Sequence, residues 1–300
     1  MGDWVISISG TDLGRHVAMG LALMSAVAHA AFGALQKGRH DPWLTRGSID
    51  FWILILSAPM ALILVPWPEG RVWLLLVGAM VIHFIYKLLM AMAYSRAAYT
   101  VVYPVVRGSG PLVTVAFAAM VFGEHYHAVQ WFGVALLSGG ILMLAVLNLR
   151  GVTIGREALV SGLFLALLGG LSVAVYTTYD AYAIRVPPNP FTFLAWFFFL
   201  TAMDFPLIGY HRLRTMANPP SLGPLMLRGV IGAIIAFFSF GGVMLATRLD
   251  KVGEAAVLRE TSVVFAAVIG WLFLKEKVGP VRAALMAVIA LGAVVVEFGG

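Results

Sequence analysis

Hydrophobic residues in this chain come in long blocks, and polar residues gather in the short gaps between them. The blocks lie at about 16–37, 47–66, 71–95, 99–122, 127–149, 157–183, 190–210, 224–248, 253–274 and 279–298. Each approaches or exceeds the roughly 20 residues that an α-helix needs to cross a bilayer. The gaps read "GRHDP", "PWPEGR", "FGEHYH", "NLRGVTIGRE", "RVPPNP", "HRLRTMANPP" and "LKEKVGP", which are glycine, proline and charge clusters of the kind that form turns. The pattern predicts an all-α membrane protein of ten transmembrane helices, here called spans 1 to 10. The connections are too short to hold a soluble domain.

Composition agrees. Of 300 residues, 61% are hydrophobic and 11% charged, against about 25% charged in a soluble domain. The absence of cysteine excludes disulfides, thiolate metal sites and cysteine nucleophiles. The net charge of +6 is spread over short connections, with no basic arm or basic–aromatic array, so nucleic acid is not an expected partner. The start of the chain has no basic stretch before its first apolar block and carries Asp3 and Asp12, which does not read as a signal peptide.

Five spans resemble the other five. A shift of 152 residues places Arg107 on Arg259, Glu124 on Glu276, Arg96 on Arg248 and Gly140 on Gly292. Nearer the start, a shift of 142 sets "MGLAL" (19–23) against "SGLFL" (161–165). A repeated unit with an odd number of spans inserts in opposite orientations, so residues 1–150 and 151–300 are expected to form two inverted five-helix repeats. Transporters use such symmetry to alternate access to a midplane site.

Charge inside a bilayer core costs at least about 2.5–3.5 kcal/mol per residue, and such residues persist where they face a cavity or a partner. The strongest cases are Lys87, Arg107, Arg259 and Glu260; Asp180, Asp204, Arg228 and His29 are less central. Helical spacing puts His83, Lys87 and Tyr94 on one face of span 3 and Tyr103, Arg107 and Thr114 on one face of span 4. It aligns Arg259 with Ser262 on span 9, and Ser25, His29 and Gln36 on span 1. On span 6, Ser172, Tyr176, Tyr179 and Asp180 form a polar and aromatic stripe. Five helices each offering one polar stripe is what a central cavity requires. The substrate-binding candidates are therefore His29, His83, Lys87, Tyr103, Arg107, Tyr176, Tyr179, Arg259 and Glu260. Arg107 and Arg259 have an equally open structural reading, as braces for a broken helix or partners of Glu260. Lys87 has one as a snorkelling residue. Asp180 reads as a helix-end residue near Arg185.

Other features read as architecture. Glu124 and Glu276 close spans 4 and 9 and suit the positive end of the helix that follows. His125 and His127 lack a third ligand and are not taken as a metal site. Ala135 and Gly139 in span 5, and Ala283 and Ala287 in span 10, are small residues four apart, the spacing that lets helices approach; they are expected to pack the two halves together or form a dimer contact. "YPVVRGSGP" (103–111) sets two prolines and two glycines around Arg107 and is expected to loosen span 4, with Gly108 and Gly110 leaving space around the arginine.

These residues also carry a resemblance. "AHAAFGALQK" (28–37) resembles the first-helix pattern His-Ala-x-Trp-Asn-x-x-x-Lys of the drug/metabolite transporter superfamily, with Phe32 and Gly33 replacing the tryptophan and asparagine. "YPVVRGSGPL" (103–112) and "LRETSVVFAAVIGWLFLKE" (258–276) are similar to the fourth- and ninth-helix patterns of its ten-helix members with two EamA domains. The resemblance implies a ten-helix basket, a cavity lined by spans 1, 3, 4, 6, 8 and 9, and cytoplasmic termini. Counting basic residues gives five on the terminal side against eleven on the other, which favours termini outside.

The expected function is secondary-active transport of a small polar metabolite, such as an amino acid, outward across a cell membrane, with a bacterial inner membrane as the expected location. Lys87, Arg107 and Arg259 against Glu260 make a cationic cavity suited to a carboxylate. Glu260 is the proton-coupling candidate. No cofactor is expected; the partners are the substrate, the bilayer and protons as a coupling ion, with the chain a monomer or homodimer. A multidrug or organic-cation exporter and a lipid-linked carrier flippase are alternatives on the same scaffold. An intramembrane enzyme is the remote one, since no catalytic motif links the serines, His29, His83 and Asp204.

Overall fold

The protein is described from a computed structural model over residues 2–36, 41–97, 99–149, 155–274 and 279–300. Lys37, Lys275 and Glu276, which figure in the motif and repeat arguments above, lie outside the described residues.

Among the described residues the chain is helical, and nine helices are long and apolar enough to cross a membrane. Spans 1 to 6 are Asp12–Gln36, Pro42–Pro59 extended by Met60–Leu64, Arg71–Arg96, Tyr99–Phe122, Ala128–Leu149 and Arg156–Ala183. Span 8 runs from Leu222 to Leu249, and span 10 is Pro280–Phe298. Large apolar side chains face outward, among them Ile63 (78% exposed), Leu74 (74%) and Met120 (72%). This is the inverted surface of a chain whose solvent is lipid. The protein is a multi-pass membrane protein. A short helix, Gly2–Ile8, precedes span 1; it buries Val5 and Ile8 and is tied to the end of span 8, where Gly10 N–H donates to the Leu249 carbonyl at 3.1 Å.

Two spans are interrupted, and the reasons are local. Span 7 stops at Thr201 and resumes as Asp204–Thr215. Pro206 lacks the N–H that would continue the ladder, and the Phe205 N–H is taken by the Asp204 carboxylate at 2.6 Å. Span 9 is Val252–Glu260 followed by Ser262–Leu274. At the joint, the N–H and hydroxyl of Thr261 both turn back to the Leu258 carbonyl (3.1 and 2.6 Å), a side-chain bond that competes with the helix. Among the described residues neither part of span 9 is long enough to count among the nine, whereas span 7, Pro190–Thr215, counts as one despite its break. In span 8 the helix widens to a π-turn at Phe237–Gly241.

Span 4 corrects an expectation. It is one helix through both Pro104 and Pro111, and the proline-free span 9 is the one that breaks. Nor do the glycines make room for the arginine. A Cβ on Gly108 would lie 2.8 Å from the Leu142 side chain, so this glycine admits span 5.

The neighbour relations repeat after five spans. Span 1 packs on spans 8 and 9, and span 6 on spans 3 and 4; span 2 packs on span 8, and span 7 on span 3. Spans 2 and 7, 4 and 9, and 5 and 10 pack on one another. Glycines set two of these crossings. Between spans 2 and 7, a Cβ on Gly47 would come within 2.9 Å of the Phe205 carbonyl and 3.0 Å of Gly209 Cα. Between spans 5 and 10, a Cβ on Gly292 would come within 2.7 Å of the Gly133 carbonyl. The small-residue stripe expected to do this instead points away: Ala135, Gly139, Ala283 and Ala287 are all exposed.

Glu124 also acts elsewhere than expected. Its carboxylate does not cap the span that follows it but the start of span 9, accepting from Val252 N–H (2.6 Å) and Gly253 N–H (3.2 Å). The negative charge meets the positive helix end and ties the first half of the chain to the second. Burial, and after it the contact with this carboxylate, pushes the Tyr126 phenol's pKa above its usual value. Arg185 was expected to accompany Asp180. It instead donates to the Ala181 carbonyl at 2.6 Å and reaches the carbonyls of Thr247 and Asp250, and burial lowers its pKa to about 10.

The packing yields a paired test. Gly292→Ala places a methyl against main chain and should lower stability by about 1–3 kcal/mol. Gly139→Ala, with nothing within 4 Å, should be neutral or slightly stabilising. Thermal unfolding of the two purified variants in detergent reads the difference.

Candidate functional site

The interrupted helices meet the polar stripes in the interior, where the buried charges fall into two groups.

The first group joins spans 1, 4, 8 and 9. Arg107 is 2% exposed and donates from Nη1 to Glu260 Oε1 at 2.8 Å. Its Nη2 contacts His29 Nε2. A guanidinium has only donors, so Nε2 must be the unprotonated, accepting nitrogen. Nδ1 then carries the proton toward the Ser239 hydroxyl, 3.0 Å away. Ser239 sits in the π-turn of span 8, and its carbonyl accepts from the Ser25 hydroxyl. A widened turn thus supplies both a hydroxyl and a carbonyl to span 1, in keeping with the frequent placement of π-turns at functional sites. Tyr103 stacks on the His29 ring (6.1 Å, 18°) and lies under Arg107 (5.5 Å); its hydroxyl is 3.2 Å from Ser262 Oγ.

Arg259 is the exception within this group. It is also 2% exposed, and its guanidinium lies over the Phe240 ring at 4.9 Å. Its Nε and Nη2 have no hydrogen-bond partner among the described residues, and neither has Oε2 of the adjacent Glu260. Buried donors and acceptors are rarely left unpaired, and each costs about 1–3 kcal/mol, more when charged. These three atoms sit where span 9 breaks.

The second group joins spans 2, 3, 6 and 7. Lys87 does not snorkel. It is 3% exposed and donates to Asp50 Oδ2 at 3.0 Å, to the Thr201 carbonyl at 2.6 Å and to Asp204. The Thr201 carbonyl is free to accept because span 7 breaks just beyond it. Arg46 approaches the other Asp50 oxygen at 2.6 Å. One turn away on span 3, His83 Nε2 donates to Asp180 at 2.7 Å, its ring packed against Tyr176 (4.7 Å) and Phe197 (4.8 Å). Asp180, expected at a helix end beside Arg185, is 3% exposed and belongs here.

Between the groups lies a cavity of about 20 Å³ bounded by Asp50, His83, Tyr86, Lys87, Thr201 and Phe240. It has room for about one water. Phe240 faces both this cavity and Arg259. Tyr176 is 2% exposed with an unpartnered hydroxyl and packs on Tyr86 (5.0 Å). Tyr179 falls outside both groups: its hydroxyl bonds the Leu75 carbonyl at 3.0 Å and packs over Gly78.

Of the nine residues singled out from the sequence, His29, Tyr103, Arg107, Arg259 and Glu260 are thus gathered in one group, and His83, Lys87 and Tyr176 in or beside the other. Asp50 and Arg46 were missed. Starting span 2 at residue 47 left Asp50 in its first turn and Arg46 in the connection. Their spacing of four, which places them on one helical face, was the available signal, because the helix starts at Pro42.

Residues 160–298 match the EamA-like transporter family. A curated relative, "Uncharacterized protein y4nH" of Sinorhizobium fredii, is 39% identical over 69 residues, 23% of this chain; the match takes in 59% of that relative's length. A solved structure titled "Crystal structure of protein" superposes with a TM-score of 0.69 over 96% of this chain and 99% of its own, at 21% identity, a likeness of fold. The second half of the chain thus resembles EamA-like transporters, and the whole chain shares its fold with that solved structure.

The Arg107–Glu260 pair makes a test of interior electrostatics. Arg107→Met strands the Glu260 charge and should destabilise the protein by about 3–5 kcal/mol. Arg107→Met with Glu260→Gln should recover a large part of that loss, as thermal unfolding of the single and double variants will show.

Proposed function

We propose that the chain is a secondary-active exporter of a small metabolite carrying both a carboxylate and an ammonium group, an amino acid in type. The single observation that carries this reading is the unpaired trio on span 9. Arg259 Nε and Nη2 are two adjacent donors on one edge of a planar fork, the geometry that takes both oxygens of a carboxylate. Glu260 Oε2 is an unused acceptor for an ammonium. In this reading Arg107 holds the other Glu260 oxygen and fixes the carboxylate, while Arg259 binds substrate. Phe240 and Tyr86 line the side toward the cavity, with Tyr176 packed behind Tyr86, and suit the apolar part of such a ligand.

Alternating access follows the repeat reading. Residues 1–150 and 151–300 act as two inverted five-helix units, and the neighbour relations that recur after five spans support it. The substrate site is then at their interface, where spans 4 and 9 meet, and opens to one face or the other as the halves rock. The cavity described above holds about one water, so it must widen before it admits a substrate. The bacterial relative supports placement in a bacterial inner membrane. No reaction chemistry is needed for this role: the residues bind and release.

A ligand-stabilisation screen of purified protein across amino acids, organic cations and sugars tests the reading. Amino acids should raise the unfolding temperature. Arg259→Lys keeps the charge but removes the fork and should weaken that binding by about 10–100-fold. Stabilisation confined to organic cations would overturn the carboxylate assignment and favour a multidrug exporter; stabilisation by polyprenyl-linked compounds would favour a flippase.

A further inference from the structure

The Lys87 site has a composition that substrate binding does not use. Two carboxylates and one helix-break carbonyl surround a single ammonium. With Arg46 on Asp50, two cations face two anions and the group is neutral. The two acids are not equivalent. The Asp50 side chain is fully buried (0% exposed) and touched by both cations, whereas the Asp204 side chain is 22% exposed and has Lys87 as its one cationic partner, beside the Phe205 N–H. Asp204 is also the first residue of the second half of span 7, so its hold on Lys87 spans the helix break.

From this arrangement we infer that Asp204 is the proton-carrying group of the transporter and Lys87 the element that responds to it. Glu260, the carboxylate expected to couple from sequence, is held by Arg107. A proton reaching the partly exposed edge of the group adds to the Asp204 carboxylate, and the group passes from neutral to one net positive charge. Lys87 loses one of its two ionic contacts, and an excess charge in a nearly dry site is unfavourable. The lower half of span 7 is then free to move from span 3, and the adjoining cavity opens toward the face that Asp204 meets. When the proton leaves, Lys87 and Asp204 pair again and the cavity closes.

The charged neighbours are compatible with this assignment. Span 2 contributes Arg46 and Asp50, span 3 Lys87 and His83, and span 6 Asp180, which is held by His83 across the cavity. On Asp204's own helix, Arg212 is turned to Asp41 at 2.9 Å. Arg46 and Lys87 keep Asp50 between them as a fixed counter-charge, leaving Asp204, which also accepts from the Phe205 N–H, as the acid with one cationic partner and the more exposed of the two.

The inference does not depend on the substrate, and neither does its test. The chain has no cysteine, so a single introduced thiol reports alone. Ala202, at the break in span 7, is 2% exposed and lines the cavity. In Ala202→Cys protein reconstituted in nanodiscs, maleimide labelling should speed up at least about tenfold as the pH is lowered. Adding Asp204→Asn should make labelling fast at every pH, and Asp204→Glu should restore the pH response. A pH-independent labelling rate, or a response that survives Asp204→Asn, would overturn the assignment. A sodium-dependent rate at fixed pH would overturn it in favour of a metal cation.

Discussion

A charge in the bilayer interior must be answered by another charge or by freed main chain, and this requirement organises the protein. Lys87 is answered by Asp50, Asp204 and the Thr201 carbonyl; Arg107 by Glu260 and His29; Asp180 by His83. Each answer crosses from one helix to another, so the pairs fix which helices are neighbours. The broken helices follow from the same need. The Thr201 carbonyl can receive Lys87 only because span 7 stops there, and the Ser239 carbonyl can receive Ser25 only because span 8 widens. Irregular backbone at membrane depth is tolerated where protein re-satisfies it, and here it supplies the acceptors.

The close helix crossings make these pairs reachable. Gly47 and Gly209 let spans 2 and 7 touch main chain to main chain. That contact lies within one turn of both Asp50 and Asp204, and it brings the two carboxylates to opposite sides of one ammonium. Trp43 stacks on Phe205 at 6.0 Å just beyond it, closing the group toward the surface. Gly133 and Gly292 clamp spans 5 and 10 in the same way, and there the buried Gln130 amide crosses the contact, donating to the Val296 carbonyl at 2.8 Å. One crossing is built around an ion pair and the other around packing and a neutral amide, so the two are energetically unlike despite similar backbone contacts.

The helices were legible because lipid selects for unbroken apolar length, and ten blocks of that length stand out without any tertiary information. The polar stripes were legible for the same reason: His83 with Lys87, or Tyr103 with Arg107, is costly in lipid unless it faces inward. What escaped was partnership. Nothing local says that Glu124 caps span 9 rather than the adjacent span 5, since that depends on how the halves meet. Asp50 escaped because an acid near a span end is cheap if the helix starts late and costly if it starts at Pro42, and hydropathy alone does not locate the start. The prolines of span 4 misled in the opposite sense. Proline removes a donor, but neighbouring helices can hold the chain straight, whereas Thr261 breaks span 9 by offering its own hydroxyl to the Leu258 carbonyl.

The arginines at 107 and 259 show why equivalent sequence positions need not share a role. Both are buried to 2% exposure, yet one is paired and the other holds an open fork. The difference traces to the residue that follows each. Gly108 has no side chain and lets span 5 in, while Glu260 brings a carboxylate that turns to Arg107 and not to its own neighbour. One acid between two arginines leaves one cation over. In a watery site that surplus would be screened; in a bilayer interior it is not. A difference at the single position after each arginine thus makes one of them a paired brace and leaves the other with unpaired donors, at the contact between spans 4 and 9, which is where the proposed reading puts the substrate.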